Sequence, residues 1–113
     1  MFILSQSTSY KWPVSVEFPI DGGKHDKQTF DAEFKRLSQP QIEDMRKQIE
    51  GGETTDRELA KSVLVGWSGI TDGSGGEVPF SEGSRDQLLD IPMVAAAVVL
   101  AYIGSLQGRK AKN

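Results

Sequence analysis

The stretch Tyr10-Lys11-Trp12-Pro13-Val14-Ser15-Val16-Glu17-Phe18-Pro19-Ile20 decides the fold, because Tyr10, Trp12, Val14, Val16, Phe18 and Ile20 alternate with polar residues and prolines without a fault. Successive side chains of a strand point to opposite faces, so this pattern predicts a strand with one buried face. Pro13 and Pro19 lie on the polar side and lack a ladder donor, which predicts an edge position. Asp21-Gly22-Gly23-Lys24-His25-Asp26 reads as a turn, and alternation resumes over Lys27–Leu37 with Phe30, Ala32 and Phe34 facing one way. The two runs form a long antiparallel hairpin. A lone hairpin is marginal in water, so its aromatic face requires cover from helices or from another copy of the chain.

The helix signals follow directly. Ser38-Gln39-Pro40-Gln41 is a capping box with proline in the first turn; Ile42, Met45 and Ile49 then line one face until Gly51-Gly52. Thr55-Asp56-Arg57-Glu58 is a second capping box, and Leu59, Val63, Leu64 and Trp67 keep helical spacing, which predicts a helix running to Gly66–Gly69. Thr71-Asp72-Gly73-Ser74-Gly75-Gly76-Glu77 contains no apolar residue and reads as an exposed loop. Ser81 caps a short helix carrying Leu88 and Leu89, and Asp90-Ile91-Pro92 is expected to cap a last helix reaching about Leu106. The reading is a single α+β domain over 1–113: an N-terminal antiparallel β-hairpin packed with three to four α-helices, the last long and apolar, with flexible ends at 1–9 and 108–113.

Apolar residues at 37% and charged residues at 26% exclude a disordered chain, and the absence of cysteine excludes disulfide frameworks, thiolate zinc sites and thiol catalysis. All 16 acidic residues precede Ile91, whereas Arg109, Lys110 and Lys112 form a basic end suited to a helix C-terminus. With net charge −3 and no broad basic surface, duplex nucleic acid is not an expected partner. Met1-Phe2-Ile3-Leu4-Ser5 has no positive region and too short an apolar run for an export signal. Ile91–Ile103 is apolar throughout except for the Tyr102 hydroxyl, but helix of that length covers only about 20 Å, short of a membrane span. It reads instead as a helix surrounded by neighbours, from this chain or from another subunit.

The search for chemistry returns little. His25, the single histidine, sits beside Lys24 and Asp26 as a solvated residue of the hairpin turn. Gly73-Ser74-Gly75-Gly76 lacks the Lys-Ser/Thr pair of a phosphate loop, and a calcium loop beginning at Asp72 would place Gly83 where a bidentate glutamate is required. A hydrolase or nucleotide site built from Asp72, Glu77 and His25 has no evident pair of base and nucleophile. No catalytic residue, metal or cofactor is expected.

Trp67-Ser68-Gly69-Ile70-Thr71-Asp72, Gly76-Glu77-Val78-Pro79-Phe80-Ser81 and Leu88-Leu89-Asp90-Ile91-Pro92, followed by an apolar helix reaching Tyr102, resemble the tail assembly chaperones of long-tailed bacteriophages. The motif spans residues 63–103, and the N-terminal hairpin is similar as well; Gly83 inside the short helix and the glycine-heavy loop depart from the family pattern. The resemblance implies a non-enzymatic, self-associating protein of the bacterial host cytoplasm. It would bind the tape-measure protein and keep it soluble, help recruit tail-tube subunits, need no cofactor, and be absent from the mature virion. Partner binding is then expected at Trp67, Pro79, Phe80, Leu88, Leu89 and Pro92, or on the open hairpin face at Tyr10, Trp12 and Phe18. The alternative is a structural tail component, of tube or terminator type, retained in the virion. Such components need more strand than one hairpin supplies.

Overall fold

In the computed structural model, which describes residues 1–107, the chain is α+β: a three-stranded antiparallel sheet in the order β1-β2-β3 with four helices. Strands β1 (Ser9–Ile20) and β2 (Lys24–Lys35) pair along their whole lengths, from Ser9 opposite Lys35 to Ile20 opposite Lys24. The turn is shorter than its sequence suggests, Asp21-Gly22-Gly23, with Gly22 and Gly23 at φ of 82° and 72°. His25 therefore belongs to β2, opposite Pro19, and not to the turn. β1 is an edge strand, so the donors missing at Pro13 and Pro19 leave no neighbouring carbonyl unserved. The polar face of the hairpin is open, with Ser15 and Thr29 hydroxyls 2.9 Å apart across it.

Helices α1 (Gln39–Glu50), α2 (Asp56–Val63), α3 (Glu82–Asp90) and α4 (Val94–Leu106) follow the capping signals in all but one case. Ser38 and Gln41 close the expected reciprocal box on α1, and the Thr55 hydroxyl accepts from the Glu58 amide on α2. The helix expected to run on to Trp67 stops at Val63; Leu64–Ser68 is instead strand β3, paired with β2. β-Branched Val65 and aromatic Trp67 suit extended backbone, and the free edge of β2 offers that backbone a ladder. At Gly66 a Cβ would lie 2.8 Å from Glu33 Oε1, which can swing aside, and 3.2 Å from Glu33 Cβ, which would have to give by a few tenths of an ångström. Val65 has no partner opposite it: the register shifts between Glu33 and Phe34, so the strand bulges at that point.

The start of α4 also departs from expectation. Asp90 does not cap it; Asp90 ends α3, and its carboxylate pairs with Arg57 of α2. Proline at 92 cannot continue α3, and α3 and α4 meet at 105°. The corner is made by Met93, the one non-glycine residue with positive φ (77°) among the described residues, and α4 begins without a side-chain cap. The expected basic helix end at Arg109, Lys110 and Lys112, and the end at 108–113, lie outside the described residues. At the other end, β1 already begins at Ser9, and the Arg36 amide donates to Thr8 O at 3.0 Å.

One hydrophobic core joins all this. Val14 and Val16 of β1, Phe30, Ala32 and Phe34 of β2, and Leu64 of β3 meet Leu59, Ala60 and Val63 of α2, Leu89 of α3, and Val94, Val98, Val99 and Tyr102 of α4. α4 packs against both β1 and α2, so it is the central helix of the monomer. Its Tyr102 ring stands edge-on to Phe34 with centroids 5.1 Å apart, and its hydroxyl donates to Lys35 O at 3.2 Å. No described helix alone is long and apolar enough to cross a membrane.

Burial pushes the Tyr102 phenol up from 10.0 to about 12, with Tyr10 adding to the shift. The unfolded chain therefore ionises first as pH rises, so the stabilisation from the neutral phenol is complete below pH 10 and is lost between 10 and 12. Tyr102→Phe is expected to lose about 1 kcal/mol at pH 8 by removing the hydrogen bond. Urea titrations at rising pH should show this deficit shrinking above pH 10, because the phenylalanine variant lacks the ionisable group. At Met93, half exposed and left-handed, Met93→Gly is expected to relieve strain, whereas Met93→Val should be about 1–2 kcal/mol less stable than Met93→Gly by thermal unfolding.

Candidate functional site

The hairpin is longer than the helix that covers it. Twelve strand residues extend roughly 40 Å, whereas α4 spans about 20 Å, so only part of the apolar hairpin face is covered within the chain. The proximal part is covered. Tyr10 stands edge-on to Phe34 at 6.0 Å and to Trp12 at 6.5 Å, its hydroxyl lies 2.6 Å from Ser105 Oγ of α4, and the Arg36 guanidinium sits 4.8 Å over its ring. Tyr10 and Trp12 are thus half-buried against the core and tied to it. The distal part is not covered: Phe18 is half-buried and Ile20 is 51% exposed.

Beside this overhang lies a cavity of about 220 Å³ walled by Val16, Phe18 and Phe30 of the hairpin, by Gly69, Ile70 and Thr71, and by Leu88, Ile91 and Val94 at the α3–α4 corner. Two of the residues expected to bind a partner, Phe18 and Leu88, both line it. Leu89 points the other way, into the core at 4% exposure, and serves packing. Pro92 is exposed at the corner and ends α3, which places Ile91 on the rim of the cavity.

Trp67, Pro79 and Phe80 form a second group. The Trp67 indole donates to Val78 O at 2.8 Å, and its ring stands edge-on to Phe80 with centroids 5.0 Å apart. The 69–78 segment is closed beneath it: Val78 N donates to Ile70 O at 2.8 Å, Thr71 bridges Glu77, and Glu77 Oε1 accepts from Gly69 N at 2.8 Å. Trp67 therefore clamps the glycine loop to the body, while Pro79 remains exposed. Within the exposed loop, Asp72 Oδ1 accepts from the Ser74 hydroxyl at 2.6 Å and the Ser74 amide at 2.9 Å, which holds the carboxyl below its ordinary pKa. Asp72 and Glu77 thus serve the loop's own turns, and His25 lies on the hairpin.

A third uncovered surface has no counterpart among the expected binding residues. No residue of α1 is buried. Its Ile42, Met45 and Ile49 line an open cleft of about 520 Å³ with Ile103 and Leu106 of α4, and Gln39, Arg46, Glu50 and Gln107 complete the lining. The signal was present in the apolar spacing of α1, but spacing alone does not distinguish a face packed on its own core from one left open. On α4 itself, Leu100 is 70% exposed with no cover from this chain.

Trp67→Ala is expected to cost about 3 kcal/mol, combining lost ring burial with the lost indole bond, whereas Trp67→Phe should cost about 1 kcal/mol, mostly from the bond to Val78 O. Urea unfolding measures both, and faster amide exchange at Val78 in both variants would report the opened loop.

Comparisons with family models, with curated proteins and with solved structures give no match.

Proposed function

We propose that the protein is a tail assembly chaperone of a long-tailed phage, which self-associates and holds the apolar helical segments of the tape-measure protein in solution, helping to recruit tail-tube subunits in the host cytoplasm. The observation that carries the reading is the incompletely covered apolar surface at the distal hairpin and α3–α4 corner: half-buried Phe18 and Leu88 and exposed Ile91 around a cavity of about 220 Å³, with exposed Ile20 further along β1. An apolar rim over a preformed cavity suits the anchors of an amphipathic helix, which docks through residues spaced three and four apart. The resemblance of residues 63–103 to the phage chaperones supports the same reading, since most of this surface lies within or against that stretch. Reversible cover of apolar helices needs no covalent chemistry, and the site supplies apolar contact with few polar groups at its edge, Gln28 and Thr29.

One observation favours the alternative of a structural tail component. β3 is a third strand with an unpaired outer edge, and an open edge can join subunits through main-chain hydrogen bonds. The two readings part at the finished particle, because a chaperone is absent from purified virions and a tube or terminator protein is present.

Co-expression with the large, helix-rich tape-measure candidate encoded nearby, followed by affinity capture and sizing, tests the proposal. The expected result is a soluble complex with several copies of this chain per partner, and a partner that is insoluble alone. Ile20→Asp should leave the unfolding midpoint within about 0.5 kcal/mol of wild type, as befits an exposed site, while weakening capture at least tenfold. No complex, together with the chain found in mature virions, would overturn the proposal.

A further inference from the structure

Met1, Phe2, Ile3 and Leu4 are four consecutive large apolar side chains, exposed at 117%, 87%, 62% and 91%. The segment is not a loose continuation of β1. Its root is fastened, since Arg36 N donates to Thr8 O at 3.0 Å and Arg36 Nε to Ser7 Oγ at 3.1 Å; Gln6 Nε2 closes a turn onto Ile3 O at 2.6 Å. The four side chains are thereby held off the body that carries them. Near the same root lies the open α1/α4 cleft. Gln6, Ser7 and Thr8 border a depression walled on its far side by Leu106, and Leu106 is also a wall of the cleft.

We infer that the cleft lined by Ile42, Met45, Ile49, Ile103 and Leu106 receives the Met1–Leu4 segment of a second copy of this chain, and that the two copies exchange these segments reciprocally. Chemistry and symmetry agree on this occupant. Residues 1–9 carry no charged side chain, so Phe2, Ile3 and Leu4 lie along Ile42, Met45, Ile49, Ile103 and Leu106 while the Met1 ammonium and the cleft's Arg46 and Glu50 stay in water at its open mouth. A segment and a cleft that share one face of a molecule are brought into mutual register by a two-fold axis passing near Leu106, which is the isologous arrangement of closed dimers. Burying four large apolar side chains removes roughly 400 Å² from water on the segment and about as much on the cleft. Two such insertions cover about 1,600 Å², the size of a specific protein–protein interface, whereas a single insertion within one chain covers half of that and must first undo the turn at Ile3–Gln6. The exchange leaves the cavity between Phe18 and Leu88 free, so it stands whether or not the protein binds a tape-measure partner.

The chain has no cysteine, which makes the test direct. Phe2→Cys and Ile49→Cys, each at an exposed position, are prepared as separate full-length proteins, mixed, and treated with a short bismaleimide. The expected product is a covalent dimer containing one of each, several-fold more abundant than the dimers either variant forms alone. In parallel, sedimentation of the untagged chain should give a dimer whose dissociation constant rises at least tenfold in Leu4→Asp, with an unchanged circular dichroism spectrum. Three results would overturn the proposal. One is a monomer at 100 μM or above; another is a dimer indifferent to Leu4→Asp. The third is the absence of cross-linking between the mixed variants while a chain given both Phe2→Cys and Ile49→Cys cross-links within itself.

Discussion

The edge-on contact between Phe34 and Tyr102 joins the two parts of this protein that cannot exist alone. The hairpin has one apolar face and no second sheet to cover it; α4 has no charged residue and no polar stripe to turn toward water. Each therefore requires the other, and Tyr102 fastens the union by placing a buried ring on Phe34 and a hydroxyl on the Lys35 carbonyl. α2 completes the layer by packing on α4, and β3 follows because the residues leaving α2 pass the open edge of β2. The ion pairs of Arg57 with Asp90 and Lys61 with Asp86 then tether α3 to α2 from the surface, where charges in water contribute little beyond orientation.

The same union leaves surface uncovered, and for a geometric reason. A helix rises less than half as far per residue as a strand, so thirteen residues of α4 cannot shield twelve residues of a hairpin from end to end. Apolar residues beyond the reach of α4 stay open at the hairpin tip. At the opposite end, α1 departs from β2 with its own apolar stripe and finds only Met45 against the core. The molecule is therefore closed at its centre and leaves apolar surface open at both ends, which is the feature the proposed function rests on.

The positions where sequence patterns misled are those where two local signals coincided. Leu59, Val63, Leu64 and Trp67 fit a helix, but β-branched Val65 and the Trp67 ring also suit a strand, and the vacant edge of β2 decided between them. Asp90-Ile91-Pro92 is a sound helix start, yet α3 runs through Asp90 and is ended by Pro92, so α4 begins only after the left-handed Met93. Among the residues expected to bind a partner, Tyr10, Trp12, Trp67 and Leu89 proved to be engaged within the chain, while Phe18 and Leu88 came together at one cavity. Aromatic or apolar character marks a residue that needs cover; it carries no information about who supplies it.

By itself the sequence determined the class of structure: a period of two ending at glycines makes a hairpin, the capping residues Ser38, Thr55 and Ser81 start three of the helices, and a charge-free run makes a helix that must lie inside. These are local properties, written within a turn or two of chain. Only the tertiary structure decided the third strand, the corner at Pro92–Met93, and which apolar faces are left open. Each of those depends on residues far apart in sequence competing for the same edge, carboxylate or surface. That competition is settled by the relative lengths and positions of packed elements, which no local pattern records.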